Sequence, residues 1–249
     1  MSKSLVFYLS IISSSYGIDY QLLFGEANDF FINKNYKRSI ELYEQIIESG
    51  QENSTVFYNL GNAYYRLGDI GQAIWAYRNA KRLSPRDKDI THNLKIAEAK
   101  KIDRINSPPL FILHDFYRKI KSSITIFELI FLGGILFFIL SLLWIKQSFS
   151  GKRNGLLKNI FQIFVALIII VHIFILDMVF EKKRIINEAI IVEKFDAQSG
   201  PFFGDNKVLF QINKGSDVEV LEEKNDWSEI ILIDGKKGWV LSKALRKMK

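Results

Sequence analysis

The sequence predicts a multidomain membrane protein with three parts: an α-helical repeat, a hairpin of two membrane-crossing helices and a small all-β domain. Three observations carry this expectation. Between positions 20 and 87 the chain is similar to itself at a spacing of 34 residues, the length of a helix-turn-helix repeat. Two stretches, Ile124 to Ile145 and Ile160 to Phe180, are apolar and, at about 1.5 Å per residue, long enough to cross a hydrocarbon core of about 30 Å. After Arg184 the hydrophobic pattern changes from helical to alternating, the period of half-buried strands.

Residues 1–17 read as a secretory signal peptide. Lys3 precedes an apolar run from Leu5 to Ile12, and Ser15 and Gly17 are spaced like a signal-peptidase site. The competing reading is a buried first helix, for which the following segment offers no obvious partner. Export would place residues 20–103 outside the cytoplasm. Two spans would then return residues 187–249 to the same side and leave 146–159 as a cytoplasmic loop. Lys146, Lys152, Arg153 and Lys158 in that loop agree with the positive-inside rule, but both outer flanks are also basic, so the N-terminal segment decides the orientation.

The formal net charge is +7, and the basic residues gather beside the apolar stretches, among them Arg118, Lys119, Lys121, Lys182, Lys183 and Arg184. Lipid headgroups are therefore the expected counter-charge, and nucleic acid is not an expected partner. The absence of cysteine excludes disulfides, thiolate metal sites and a cysteine nucleophile. His92, His114 and His172 lack metal-ligand spacing, and the sequence contains no phosphate-binding loop or nucleophile elbow. The chain reads as a non-enzyme without cofactor or metal.

In the repeat, the second copy, Ser54 to Asp87, places Phe57, Leu60, Gly61, Tyr64, Gly68, Ala73, Tyr77, Ala80 and Pro85 at signature positions of the tetratricopeptide repeat (TPR). The first copy, Tyr20 to Asn53, is degenerate but in register: Ala27 aligns with Gly61, Phe30 with Tyr64, Ser39 with Ala73 and Tyr43 with Tyr77. Small residues recur where helices cross closely, and aromatic residues fill the gaps between turns. Residues 20–103 thus resemble a TPR superhelix of two repeats, and a fifth helix, Ile90 to Ile102, is expected as a cap and not as a site. The resemblance implies a protein-binding concave face presenting Phe24, Asn28, Phe31, Tyr58, Asn59, Asn62, Tyr65 and Arg66. Phe24 stands where carboxylate-clamping relatives carry a lysine, so an aromatic, amide-lined groove for an apolar or helical segment is expected.

Pro108 and Pro109 end the repeat. Residues 109–122 then read as an interfacial helix, with Leu110, Leu113, Tyr117 and Ile120 opposite His114, Arg118 and Lys121; an ordinary linker helix is the alternative. The spans are expected at 124–145 and 160–180. Glu128, His172 and Asp177 within them are costly at membrane depth, and three roles stay open: a wet interface, a polar contact with a partner helix, or a proton-linked function. Gly133 and Gly134 offer a close-packing surface for a neighbouring helix.

Residues 187–249 carry candidate strands at Ala189 to Glu193, Lys207 to Ile212, Asp217 to Leu221, Trp227 to Ile233 and Gly238 to Val240, with an Asp234-Gly235 turn before Gly238-Trp239-Val240. Together with Ser199-Gly200-Pro201 and Lys214-Gly215, these residues resemble a bacterial SH3 domain. Phe195, Asp196, Ala197 and Gln198 replace that family's usual opening to its first turn. Trp227 and Trp239 are expected to pack the barrel. The order of signal, TPR, basic pre-membrane helix, two spans and SH3 domain resembles the BatE family of Bacteroides-type aerotolerance operons. That resemblance implies an inner-membrane protein with TPR and SH3 domains in the periplasm, working with von Willebrand factor A-domain membrane proteins and a MoxR-type ATPase in a stress response. Two functions follow from it: a scaffold acting through the TPR groove and the spans, or a stress sensor or anchor whose SH3 domain binds the peptidoglycan cell wall.

Overall fold

The computed structural model describes residues 20–103, 116–117, 120–121, 123–149, 155–185, 187–202, 204 and 207–249. Residues 20–103 form five helices: α1 over residues 20–32, α2 Tyr36–Glu48, α3 Ser54–Leu67, α4 Ile70–Leu83 and α5 Lys88–Glu98. Helices α2 and α4, like α3 and α5, begin 34 residues apart. The caps repeat as well. Asn53 and Asp87 accept backbone N–H groups at the starts of α3 and α5, and Asn35 and Asp69 hold the corresponding positions before α2 and α4. Gly68 ends α3 in the left-handed region at φ +86°, where a Cβ would be strained.

Small residues sit at the helix crossings. Ala27 and Ser39 are fully buried where α1 meets α2, and Ser39 Oγ donates to the Ala27 carbonyl at 2.8 Å. A Cβ on Gly61 would lie 2.6 Å from the Tyr77 ring, so α3 and α4 approach as closely as they do only because the position is glycine.

The chain from Glu188 onward forms an antiparallel sheet of seven strands: β1 Glu188–Ile191, β2 Phe195–Gln198, β3 Val208–Ile212, β4 Asp217–Lys224, β5 Trp227–Ile231, β6 Lys237–Leu241 and β7 Leu245–Lys247, ordered β3-β2-β6-β5-β4-β1-β7. A 3₁₀ turn, Ser242–Ala244, links β6 to β7. Ala189, Ile191, Ala197, Ile212, Val218, Val220, Ile230, Leu232, Val240 and Leu245 make the core, with Phe195 and Phe210 packed against it. The sequence reading lacked two strands. Residues 195–198 pair with both β3 and β6, where the sequence suggested only the opening to a turn, and Leu245–Lys247 pairs with β1. Neither is longer than four residues, too short for alternation to register. Trp227 is buried and Trp239 half-buried.

Residues 20–103 and 187–249, read from sequence as separate domains, belong to one compact unit. Helix α4 packs on β1 so closely that a Cβ on Gly71 would meet the Ile191 carbonyl oxygen at 2.8 Å.

A second unit, within residues 109–186, contains α6 Ile126–Phe149 and α7 Gly155–Ile185, both long and apolar enough to cross a membrane. The spans expected at 124–145 and 160–180 lie inside longer helices, which take in residues 146–149 and 155–159 of the expected loop. Hydropathy marks the lipid-facing part of a helix, whereas Lys146, Gln147 and Lys158 are good helix formers that extend it past the apolar stretch. Gly133 lies against α7, where its Cβ would sit 3.6 Å from Val171; a Cβ on Gly134 would meet nothing within 4 Å. Glu128 closes a capping box, its carboxylate accepting from the Thr125 N–H at 2.9 Å. His172 Nδ1 contacts the carbonyl of Ile168 at 2.8 Å within α7, and Asp177 pairs with Lys121 and Tyr117. The expected signal peptide at 1–17 lies outside the described residues, as does most of the expected interfacial helix at 109–122.

Candidate peptide-binding site

Two side-chain triads line the helical stack, one per repeat. In the first, Asn28 Oδ1 accepts from the Tyr43 hydroxyl at 2.5 Å and from Asn59 Nδ2 at 3.0 Å. In the second, Asn62 Oδ1 accepts from the Tyr77 hydroxyl at 2.8 Å and from Asn93 Nδ2 at 3.0 Å. Each member of the second triad lies 34 residues after its counterpart, so the hydrogen bonds repeat with the helices. Burial pushes the Tyr43 phenol up to about 12 and the Tyr77 phenol further still, so both stay protonated as donors.

A cavity of about 420 Å³ opens beside the second triad, lined by Phe31, Tyr58, Asn62, Tyr65, Arg66, Tyr77, Asn93 and Ile96. The structure thus brings together five of the eight residues expected on the concave face: Phe31, Tyr58, Asn62, Tyr65 and Arg66. Phe24, Asn28 and Asn59 lie outside this lining. Asn28 and Asn59 are engaged with each other in the first triad, and the Phe24 ring lies 6.0 Å from the rings of Tyr20 and Tyr43. Helix α5, expected to be only a cap, contributes Asn93 and Ile96 to the lining. The signal for Asn93 was present in the sequence, since it stands one repeat after Asn59. At the mouth Arg66 is exposed, and Lys100 Nζ lies 4.3 Å from the centre of the Tyr65 ring.

Other residues of the stack are occupied by the sheet. Trp75 is fully buried and donates through Nε1 to the Lys247 carbonyl at 2.7 Å, while the Arg246 guanidinium stacks 3.3 Å from its ring centre. Arg246 also donates to both carboxylate oxygens of Glu44 and to Gln72 Oε1 at 2.8 Å. Arg78 pairs with Asp217 and, at 2.8 Å, with Glu98; Lys101 Nζ reaches Asp217 at 2.9 Å. Asp103 accepts from the Asn213 backbone N–H and Nδ2, each at 2.7 Å, and from Ser216 Oγ at 2.8 Å. Burial alone would raise the Asp103 carboxyl, but these bonds outweigh it and hold the group below the usual carboxylate range. None of these docking residues was singled out from sequence as a contact, because pairs more than 100 positions apart leave no local periodicity.

Among the described residues no cluster of three or more metal-ligating side chains occurs. Fold and site together define a helical-hairpin stack joined to an SH3-like sheet and to two apolar helices. Residues 204–246 match the bacterial SH3 domain family. No curated protein matches the chain.

Proposed function

We propose that this chain is a non-catalytic, membrane-anchored scaffold that holds protein partners through the groove of a TPR-like helical stack. The observation that carries the reading is the division of labour within the stack. Gly71, Ile74, Trp75 and Arg78, at helical spacing on α4, face the sheet, whereas Tyr58, Asn62, Tyr65 and Arg66 on α3 border an open cavity. A repeat protein that needed only stability would gain by filling that cavity. The two apolar helices act as the membrane anchor. Because residues on either side of them share one compact unit, both soluble segments lie on one side of the membrane. The periplasm is the side favoured by the signal-like N-terminus, and partners of the BatE setting, von Willebrand factor A-domain membrane proteins and a MoxR-type ATPase system, are the natural candidates. Crosslinking in native membranes, purification in detergent and identification of co-purified proteins test this. Tyr65→Ala together with Arg66→Ala should reduce recovery while leaving helical content unchanged, since neither side chain bonds within the triads. Full recovery with that variant overturns the groove assignment.

A second reading rests on the match of residues 204–246 to the bacterial SH3 domain family, and makes the chain an envelope anchor that binds the cell wall. Co-sedimentation of the full chain in detergent with purified peptidoglycan sacculi, unaffected by the groove variant, would favour it.

A further inference from the structure

Helix α7 carries a polar group at a depth where the membrane reading places hydrocarbon. His172 is exposed, and Ile169, Ile173 and Leu176 around it are each more than half exposed. Its Nδ1 lies 2.8 Å from the carbonyl oxygen of Ile168, one turn back along the helix. A carbonyl only accepts, so Nδ1 is the donor, and in a neutral imidazole Nε2 is then an acceptor. The contact also aims the ring. Ile168 stands near the midpoint of the span Lys158–Phe180, so the side chain is drawn toward the middle of the bilayer, away from the nearer helix end where Asp177 pairs with Lys121. At about 1.5 Å per residue, Ile168 is about 15 Å or more from either end of the span, farther than an imidazole can snorkel. Among the described residues Nε2 has no hydrogen-bond donor. The surface beside it is open to close approach. Gly133 and Val171 face one another across the hairpin. A right-handed helix turns about 100° per residue, and because α6 and α7 run in opposite directions, one step onward from each member of that pair swings to the same side. Gly134 and His172 therefore flank one face at one depth. A Cβ on Gly134 would meet nothing within 4 Å, so the glycine leaves a recess beside the imidazole and serves no contact with α7.

We propose that this face receives a membrane-spanning helix of another protein, whose backbone lies over Gly134 and whose side-chain amide or hydroxyl donates to His172 Nε2. The proposal rests on the anchoring part of the reading above and adds a second contact surface, inside the bilayer, to the groove outside it. The chemistry selects the occupant. Lipid tails offer no donor, and in a symmetric pair of copies the two His172 rings would meet acceptor to acceptor. An Asn, Gln, Ser or Thr on a different helix supplies the missing hydrogen, and the recess at Gly134 lets that helix come close enough to deliver it.

The test reconstitutes the full chain, with a fluorescent donor on Ser148→Cys, in phosphatidylcholine vesicles. Synthetic leucine-rich spanning peptides are added at low mole fraction, each with an acceptor dye and one central guest residue, Asn or Leu. Energy transfer above the level of random mixing with the Asn peptide, and not with the Leu peptide, supports the proposal when His172→Leu weakens the association roughly three- to thirtyfold. Gly134→Leu should weaken it too, with circular dichroism unchanged, because a Cβ there meets no neighbour in the chain. If Gly134→Leu has no effect, the helix does not lie over the recess and the proposal falls. Equal transfer with the Asn and Leu peptides, or transfer that His172→Leu leaves unchanged, overturns it as well. Transfer between donor- and acceptor-labelled copies without peptide, abolished by His172→Leu, makes a second copy the occupant and overturns the partner helix. A chain that alkaline carbonate strips from the vesicles overturns the proposal and the anchoring reading together, whereas a chain that stays inserted and shows no transfer overturns the proposal alone.

Discussion

Gly61 and Gly25 lie in neighbouring repeats yet answer to different physics. A methyl group on Gly61 would meet Tyr77 ring carbons at 2.6 Å, and Tyr77 is only 2% exposed and held by its bond to Asn62, so it has no room to yield. Gly25 lies within α1, where a Cβ would meet nothing within 4 Å. Alanine stabilises a helix interior by roughly 0.5–1 kcal/mol relative to glycine, and overpacking costs roughly 1–3 kcal/mol. Gly25→Ala should therefore raise the melting temperature of the full chain in detergent and Gly61→Ala should lower it, both read by far-ultraviolet circular dichroism. An unchanged or raised value for Gly61→Ala would mean that α3 and α4 do not approach as described. The same residue scale shows what a repeat pattern leaves unread: position within a repeat told which side chains share a face, but not that Asn59 donates to Asn28 and that the cavity opens beside the second triad.

At the scale of elements, the docking of α4 on the sheet hangs on a buried indole and a chain of ion pairs. Trp75→Ala removes a fully buried ring and should destabilise the compact unit by about 3–5 kcal/mol. Trp75→Phe keeps an aromatic ring but strands the Lys247 carbonyl, a loss of about 1–3 kcal/mol. Denaturant titration should rank them in that order, and a Trp75→Phe variant as stable as the native chain would refute the bond to Lys247. Asp103 supplies a pH test. Its carboxyl is held below the usual carboxylate range, so the folded state favours the ionised form; the resulting stability is present above the unfolded value and is lost as pH falls through the folded one. The melting-temperature advantage of the native chain over Asp103→Ala should therefore shrink below about pH 4. An advantage that stays constant into that range would exclude a titrating contact. The helices and most strands were legible in the sequence because each is a periodic run of its own. Their docking was not, because it joins Glu44 to Arg246 and Trp75 to Lys247 across the whole length between them, and no spacing rule links such pairs.

At the scale of the whole molecule, the proposed anchoring makes a demand together with the compact unit: if the two apolar helices both cross a membrane, residues 20–103 and 187–249 share one side of it. The lack of native cysteines makes this directly measurable, since any introduced thiol is the only one in the chain. Lys37 on α2, Glu222 on β4 and Ser148 near the end of α6 are exposed, so substitution there disturbs no packing. In intact spheroplasts, a membrane-impermeant maleimide should label Lys37→Cys and Glu222→Cys, and should label Ser148→Cys only after permeabilisation. The first two positions carry the structural claim and the third the orientation. If Lys37→Cys and Glu222→Cys differ in accessibility, the helical stack and the sheet cannot pack together in the membrane-bound protein, and Trp75 and Arg246 lose their assigned partners. If both are protected until permeabilisation while Ser148→Cys reacts from outside, the compact unit survives but faces the cytoplasm, and the reading of residues 1–17 as an export signal falls.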